Sequence, residues 1–166
     1  STPWPLVTDF GIAKPITNEN LGLAQMPRTR TGFIMPGTVG YSAPEQIDSG
    51  SVLTPATDLY ALGMVFFKML TGRHPYPVVN EKQIDVFLWN KIQEESPPSR
   101  LSDVAPFLGP YFDKFFEKAL SKNPADRYQN AAEFIQAIEN ANAALETSLA
   151  EAEEYFQLSR SIWKRA

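Results

Sequence analysis

The sequence has no cysteine. That excludes a disulfide framework and any site built on a thiolate. It has one histidine, His74, so a structural zinc site is excluded as well. Basic residues number 15 against 19 acidic ones, for a formal net charge of −4. Without a basic excess to meet phosphates, no nucleic-acid partner is expected. No run of apolar residues is long enough to read as a membrane-spanning helix. The start, Ser1-Thr2-Pro3-Trp4, does not read as a secretory signal. A reducing compartment fits, and a cytoplasmic location is expected, with a membrane anchor outside the chain left open. No glycine-rich phosphate loop and no Gly-x-Ser-x-Gly elbow occurs. Glu94–Glu95 and Glu153–Glu154 are neighbours on presumed helices and point in different directions, as solvated faces do.

What is present is enough for a core: 166 residues, 43% of them apolar, predict one folded domain with room for an added tail. A short apolar stretch, Leu6–Val7, leads into Asp9-Phe10-Gly11. Residues 12 to 43 carry Gly and Pro without apolar periodicity and read as a long functional loop. Thr54 is a good N-cap, Pro55 suits the first helical position, and Gly72 reads as a stop. Between them apolar residues fall nearly all round, which predicts a buried central helix. "RHPYPVVN" reads as a loop. Asn80 could cap a second helix with Ile84, Phe87, Leu88 and Ile92 at helical spacing. "PYFDKFFEKALSK" predicts an amphipathic helix ended by Asn123-Pro124. A last helix is expected from about Asn130 far toward the C-terminus. Its residues Phe134, Ile138, Ala141, Leu145, Leu149, Ala152 and Phe156 recur at steps of three and four, close to a heptad seam. Two readings stand: a helix packed on its own domain, or one that leaves the domain to meet a partner or a second copy.

Asp-Phe-Gly alone is a weak signal. It is followed, however, by "GTVGYSAPEQ" (Gly37–Gln46), "TDLYALGMVFFKMLTGRHPY" and "NPADRY", in that order. Together these resemble the eukaryotic-type protein kinase family, in the part downstream of the catalytic loop, and bacterial Ser/Thr kinases most. The resemblance runs from about Leu6 to Ile138. It implies a mainly α fold: the helical C-terminal lobe of a parent that is two-lobed and α+β, with a long C-terminal helix. The domain reading is a partial kinase domain over 1–138, with its activation loop at about 12–43, and a helical extension or linker over 139–166.

The resemblance also implies roles. Asp9 would hold Mg²⁺ that bridges ATP phosphates, with Phe10 packing beneath the other lobe and Gly11 turning the backbone. Thr29 and Thr31, flanked by Arg28 and Arg30, are activation-loop phosphosite candidates. Thr38 matches the substrate-loop threonine that suits a Ser/Thr acceptor. Glu45 would pair with Arg127 inside the protein, and Asp58 would accept bonds from the catalytic-loop backbone. Gly63 is the small residue where helices approach. His74 reads as structural or exposed, not as a base.

The sequence departs from the family where the chemistry lies. It has no glycine-rich loop, strand lysine or His-Arg-Asp catalytic loop, so no catalytic residue is present. It reads either as a piece of a longer kinase or as a descendant that has lost catalysis. The expected partners are protein substrates with Ser/Thr acceptors and the missing N-terminal lobe, with self-association through the C-terminal helix as a further reading. ATP and Mg²⁺ would be cofactors of the parent, held tightly by nothing here. The rival function is a non-catalytic scaffold or regulatory module.

Overall fold

A computed structural model describes residues 39–47, 52–78 and 86–163. The expectations for Leu6–Gly11, for the loop up to residue 38, and for the Asn80 cap lie outside them. In chain order come a 3₁₀ turn Val39–Tyr41, α1 Pro44–Ile47, α2 Pro55–Thr71, α3 Val86–Glu95 and α4 Leu101–Val104. Then follow α5 Gly109–Ala119, a 3₁₀ turn Pro124–Asp126 and α6 Ala131–Trp163. The fold is mainly α, and no strand occurs among the described residues. No helix among them is long and apolar enough to cross a membrane.

α2 is the centre. Thr54 is extended (φ −129°, ψ 170°) and Pro55 fills the first turn, where its missing N–H costs nothing. The Thr54 N–H donates to Thr57 Oγ1 at 3.2 Å. Gly72 closes the helix in the left-handed region (φ 70°), its N–H reaching the Lys68 carbonyl at 2.8 Å. Burial departs from the all-round expectation. Leu59, Tyr60, Gly63, Met64 and Phe67 are buried, but Leu62, Val65 and Met69 are 49%, 42% and 76% exposed. With exposed Asp58 they form one stripe along the helix, on a side that no described element covers. Periodicity marks a residue as apolar but does not say which element packs on it.

α5 buries Phe112, Phe115, Phe116 and Ala119, one face at helical spacing, each phenylalanine contributing roughly 1.5–3 kcal/mol. It ends at Ala119, before the expected Asn123-Pro124 stop. Its aromatic rings join those of neighbouring elements: Phe115 meets Phe134 edge-on at 4.9 Å and stacks on Tyr128 at 5.5 Å, and Phe116 meets Phe67 at 5.2 Å. α5 crosses α2 at Gly63, where a Cβ would stand 3.1 Å from the Ala119 Cβ. At Gly109 a Cβ would fall 2.4 Å from Ser102 Cα, so only glycine lets α5 start against α4. Asp113 fastens the same joint, its Oδ1 accepting from the Ser102 N–H at 2.9 Å.

α3 corrects the expected face in part: Ile92 packs against the core as its spacing implied, Ile84 lies outside the described residues, and Phe87 and Leu88 depart from the expectation. Phe87 and Leu88 are 82% and 44% exposed, while Trp89 and Gln93 are buried. The helix turns its tryptophan inward because a buried indole needs both an apolar slot and an acceptor for its N–H, and this body supplies both. A polar residue at a core position, such as Gln93, is invisible to an apolar pattern.

α6 starts at a cap. Asn130 Oδ1 accepts from the Glu133 N–H at 2.9 Å, and its side-chain amide donates to Glu133 Oε1 at 2.8 Å. The helix runs unbroken through residue 138, over 33 residues and about 50 Å. Phe134 and Ala141 are core, with Ala137, Ile138 and Leu145 packed against it. Beyond Leu145, Leu149 and Phe156 are 47% and 54% exposed. The first half therefore packs on the domain and the second half leaves it.

Candidate functional site

The segment 39–46 is joined to the helical body by hydrogen bonds at Gly40, Tyr41, Ser42 and Glu45. At Gly40, the carbonyl faces His74 Nε2 at 2.9 Å. His74 Nδ1 accepts from the Tyr76 N–H at 3.1 Å, which leaves Nε2 as the protonated nitrogen that donates to Gly40. At Tyr41, the hydroxyl accepts from Lys68 Nζ at 3.0 Å. At Ser42, the carbonyl accepts from both Trp89 Nε1 and Gln93 Nε2, each at 2.9 Å. Within the segment, the Ala43 N–H donates to Gln46 Oε1 at 2.7 Å.

Glu45 and Arg127 carry the strongest link. Arg127 Nη1 reaches Glu45 Oε1 at 2.7 Å and Nη2 reaches Oε2 at 2.8 Å, a bidentate fork between residues 82 apart in sequence. The remaining guanidinium donors go to carbonyls: Nε to Ser121 at 2.6 Å, Nη1 to Ala56 at 3.3 Å and Nη2 to Lys122 at 2.9 Å. All five N–H groups of an arginine are thus taken. The Thr57 hydroxyl adds a bond to Glu45 Oε1 at 2.9 Å. The guanidinium also lies over the Tyr60 ring, 4.6 Å from its centroid. Arg127 is 1% exposed and Glu45 8%.

Beneath the segment, Tyr60 and Tyr76 hydroxyls meet at 3.0 Å, and Gln93 Nε2 donates to Tyr60 at 3.1 Å. Burial pushes both phenols above their ordinary range, so both stay neutral. Gln93 Oε1 is buried without a hydrogen-bond partner.

A family model described as Protein kinase domain matches residues 5–139. The chain belongs to the protein kinase family. Serine/threonine-protein kinase Pkn1 of Myxococcus xanthus is 37% identical over 143 residues, which are 86% of this chain and 19% of that protein. Serine/threonine-protein kinase PknA of Mycobacterium tuberculosis is 36% identical over 132 residues, 80% of this chain and 27% of that protein. The kinase chain therefore spans about a fifth to a quarter of the length of these relatives. The solved PknI kinase domain of Mycobacterium tuberculosis is 28% identical with a TM-score of 0.45, over 61% of this chain and 34% of that one. The relatives are bacterial serine/threonine kinases, and the kinase chain is of that type.

Of the residues singled out in the sequence, the structure brings Glu45 and Arg127 together and leaves Asp58 exposed at the start of α2. Asp9, Phe10, Gly11, Thr29, Thr31 and Thr38 lie outside the described residues. Among the described residues no three His, Cys, Asp or Glu side chains gather to hold a metal ion. The sequence reading missed Lys68, Trp89, Gln93 and Thr57 as anchors of segment 39–46. Each is a single residue with no spacing signal of its own.

Two carboxylates tie this architecture to pH. Burial pushes the Glu45 carboxyl up, but the Arg127 hydrogen bonds, its own backbone N–H, the Thr57 hydroxyl and the Arg127 charge together hold it below the ordinary 4.5. Burial also raises Asp113, and bonds from Ser102 with the nearby Arg100 hold it below the ordinary 3.8. A depressed folded value means that stability is fully present above the unfolded value and is lost as pH falls through the folded one. Urea midpoints should therefore be flat from neutral pH down to the ordinary carboxylate range and drop below it. A midpoint that rises on acidification through this range would contradict the assignment.

Proposed function

We propose that the kinase chain is the C-terminal-lobe part of a bacterial-type Ser/Thr protein kinase. The whole enzyme would transfer the γ-phosphoryl group of ATP, with Mg²⁺, to Ser or Thr hydroxyls of cytoplasmic protein substrates. The observation that supports this best is segment 39–46, anchored at Gly40, Tyr41, Ser42 and Glu45 by side chains from α2, α3 and the turns. Phosphoryl transfer depends mostly on positioning, and an edge held this firmly suits the alignment of an acceptor peptide. In this reading Thr38, which precedes that segment in the sequence, is the substrate-loop threonine, Thr29 or Thr31 takes an ordering phosphate, and Asp9 would hold Mg²⁺. Asp58 then receives the backbone of a catalytic loop. The stripe Leu62, Val65 and Met69 seats parts of the enzyme that this sequence does not contain.

By itself the chain is expected to transfer no phosphate, because the base, the phosphate-binding lysine and the nucleotide cradle are not in the sequence. One carboxylate binds Mg²⁺ weakly, since the ion keeps its waters unless several ligands act together. The check is purified chain with Mg²⁺, ATP and a generic protein substrate, beside the product of the full coding sequence, with nucleotide binding followed by calorimetry. Transfer by the longer product alone supports the proposal. Transfer by the chain alone that disappears in Asp9→Ala would overturn it. An inert longer product would favour a non-catalytic scaffold.

A further inference from the structure

The second half of α6 carries an exposed apolar face. The side that meets the domain through Phe134, Ala141 and Leu145 continues, at steps of three and four, through Leu149, Ala152 and Phe156, with Tyr155 beside them. From Glu146 to Leu158 every side chain is exposed except half-buried Ser148. Leu149 is 47% exposed, Tyr155 76%, and Phe156 54% even with the Arg160 guanidinium 5.8 Å from its ring centroid. The seam that is intramolecular in the first half therefore runs on as a solvent-facing apolar stripe.

Charge selects the occupant. Glu146, Glu151, Glu153 and Glu154 crowd the near part of this half, and Arg160 stands at its far part, with Lys164 and Arg165 next in the sequence. A parallel copy would set four carboxylates against four, and an anionic surface would meet the same carboxylates. An antiparallel copy sets each acidic stretch against the other's basic end. Centring the pair on Phe156 aligns the seams as well. Arg160 of one copy then lies opposite Ala152 of the other, between Glu151 and Glu153. We propose that residues 146–160 are a homodimerisation element in which two copies of α6 pair antiparallel about Phe156. This surface is separate from the 39–46 edge and holds whether or not the parent enzyme is active. The interface is short, so a reversible dimer that loosens with salt is expected.

The absence of cysteine makes the register directly testable. Sedimentation of the whole chain should show a monomer–dimer equilibrium, shifted to monomer by Leu149→Lys with Tyr155→Lys at unchanged helicity. Leu62→Gln with Met69→Gln, on the α2 stripe, should leave the dimer in place. Under mild oxidation Phe156→Cys should cross-link into a disulfide dimer and Leu149→Cys should not, because the two 149 positions would stand about 21 Å apart along the axis. Cross-linking at both positions would mean a parallel pair and overturn the proposal. So would a monomer at all concentrations, dimer loss only in the α2 variant, or a monomer that binds anionic vesicles through this half.

Discussion

Arg127→Ala is expected to cost about 3–5 kcal/mol, the penalty for stranding a buried charge. Glu45 would keep only the Thr57 hydroxyl and its own backbone N–H, in a site built for a cation. Three carbonyls, those of Ser121, Ala56 and Lys122, would lose a donor as well. The Tyr60 face would lose its cation. Folded domains of this size are stable by about 5–15 kcal/mol, so the variant should lose a large share of its stability. Arg127→Lys should recover little. Lysine keeps the charge but brings three donors on a flexible stem in place of five in a planar fork. Urea denaturation of both variants and of Glu45→Gln gives the energies. Hydrogen exchange at residues 39–46 then shows whether the segment is released before the rest. A loss under about 1 kcal/mol in Arg127→Ala, the worth of an ordinary exposed pair, would refute the role assigned here.

Trp89→Ala should be nearly as damaging, at about 3–5 kcal/mol. The indole is fully buried, with its ring edge-on to Tyr76 at 5.2 Å and to His74 at 5.4 Å. It connects α3 to the Ser42 carbonyl and packs against the His74 ring that contacts Gly40. Trp89→Phe separates packing from hydrogen bonding. Most of the ring is kept, and the Ser42 carbonyl retains Gln93 as a donor, so the loss should be near 1 kcal/mol. The check is thermal or urea unfolding of both variants. Equal losses in the two would mean that the N–H, not the ring, holds the segment.

Several elements were legible because their signals are local. Thr54-Pro55 and Gly72 bracket α2 within a residue, since capping and left-handed turns depend on the residues at the ends. The stretch Pro110–Lys122 read as an amphipathic helix for the same reason, and the structure assigned Phe112, Phe115 and Phe116 to its buried face. The Glu45–Arg127 link was legible only through the resemblance: no local pattern relates residues 82 apart. The face of α3 was misread in part: Ile92 packs against the core, but Phe87 and Leu88 are apolar and exposed, Gln93 is polar and buried, and the body offered its slot and its acceptor to Trp89.

The family was legible through the resemblance of the motifs, and α1 and α4 were not read as helices; the sequence by itself determined that α2, α5 and α6 are helical, where these three begin, and that no thiol chemistry is available. These follow from nearest neighbours along the chain and from composition. Only the tertiary structure decided which apolar residues are core and which stay exposed, as on α2 and the second half of α6. It alone assigned Lys68, His74, Trp89 and Gln93 to segment 39–46. The physical reason is that burial and hydrogen bonding are properties of pairs, and the partner of each of these side chains comes from a different part of the chain.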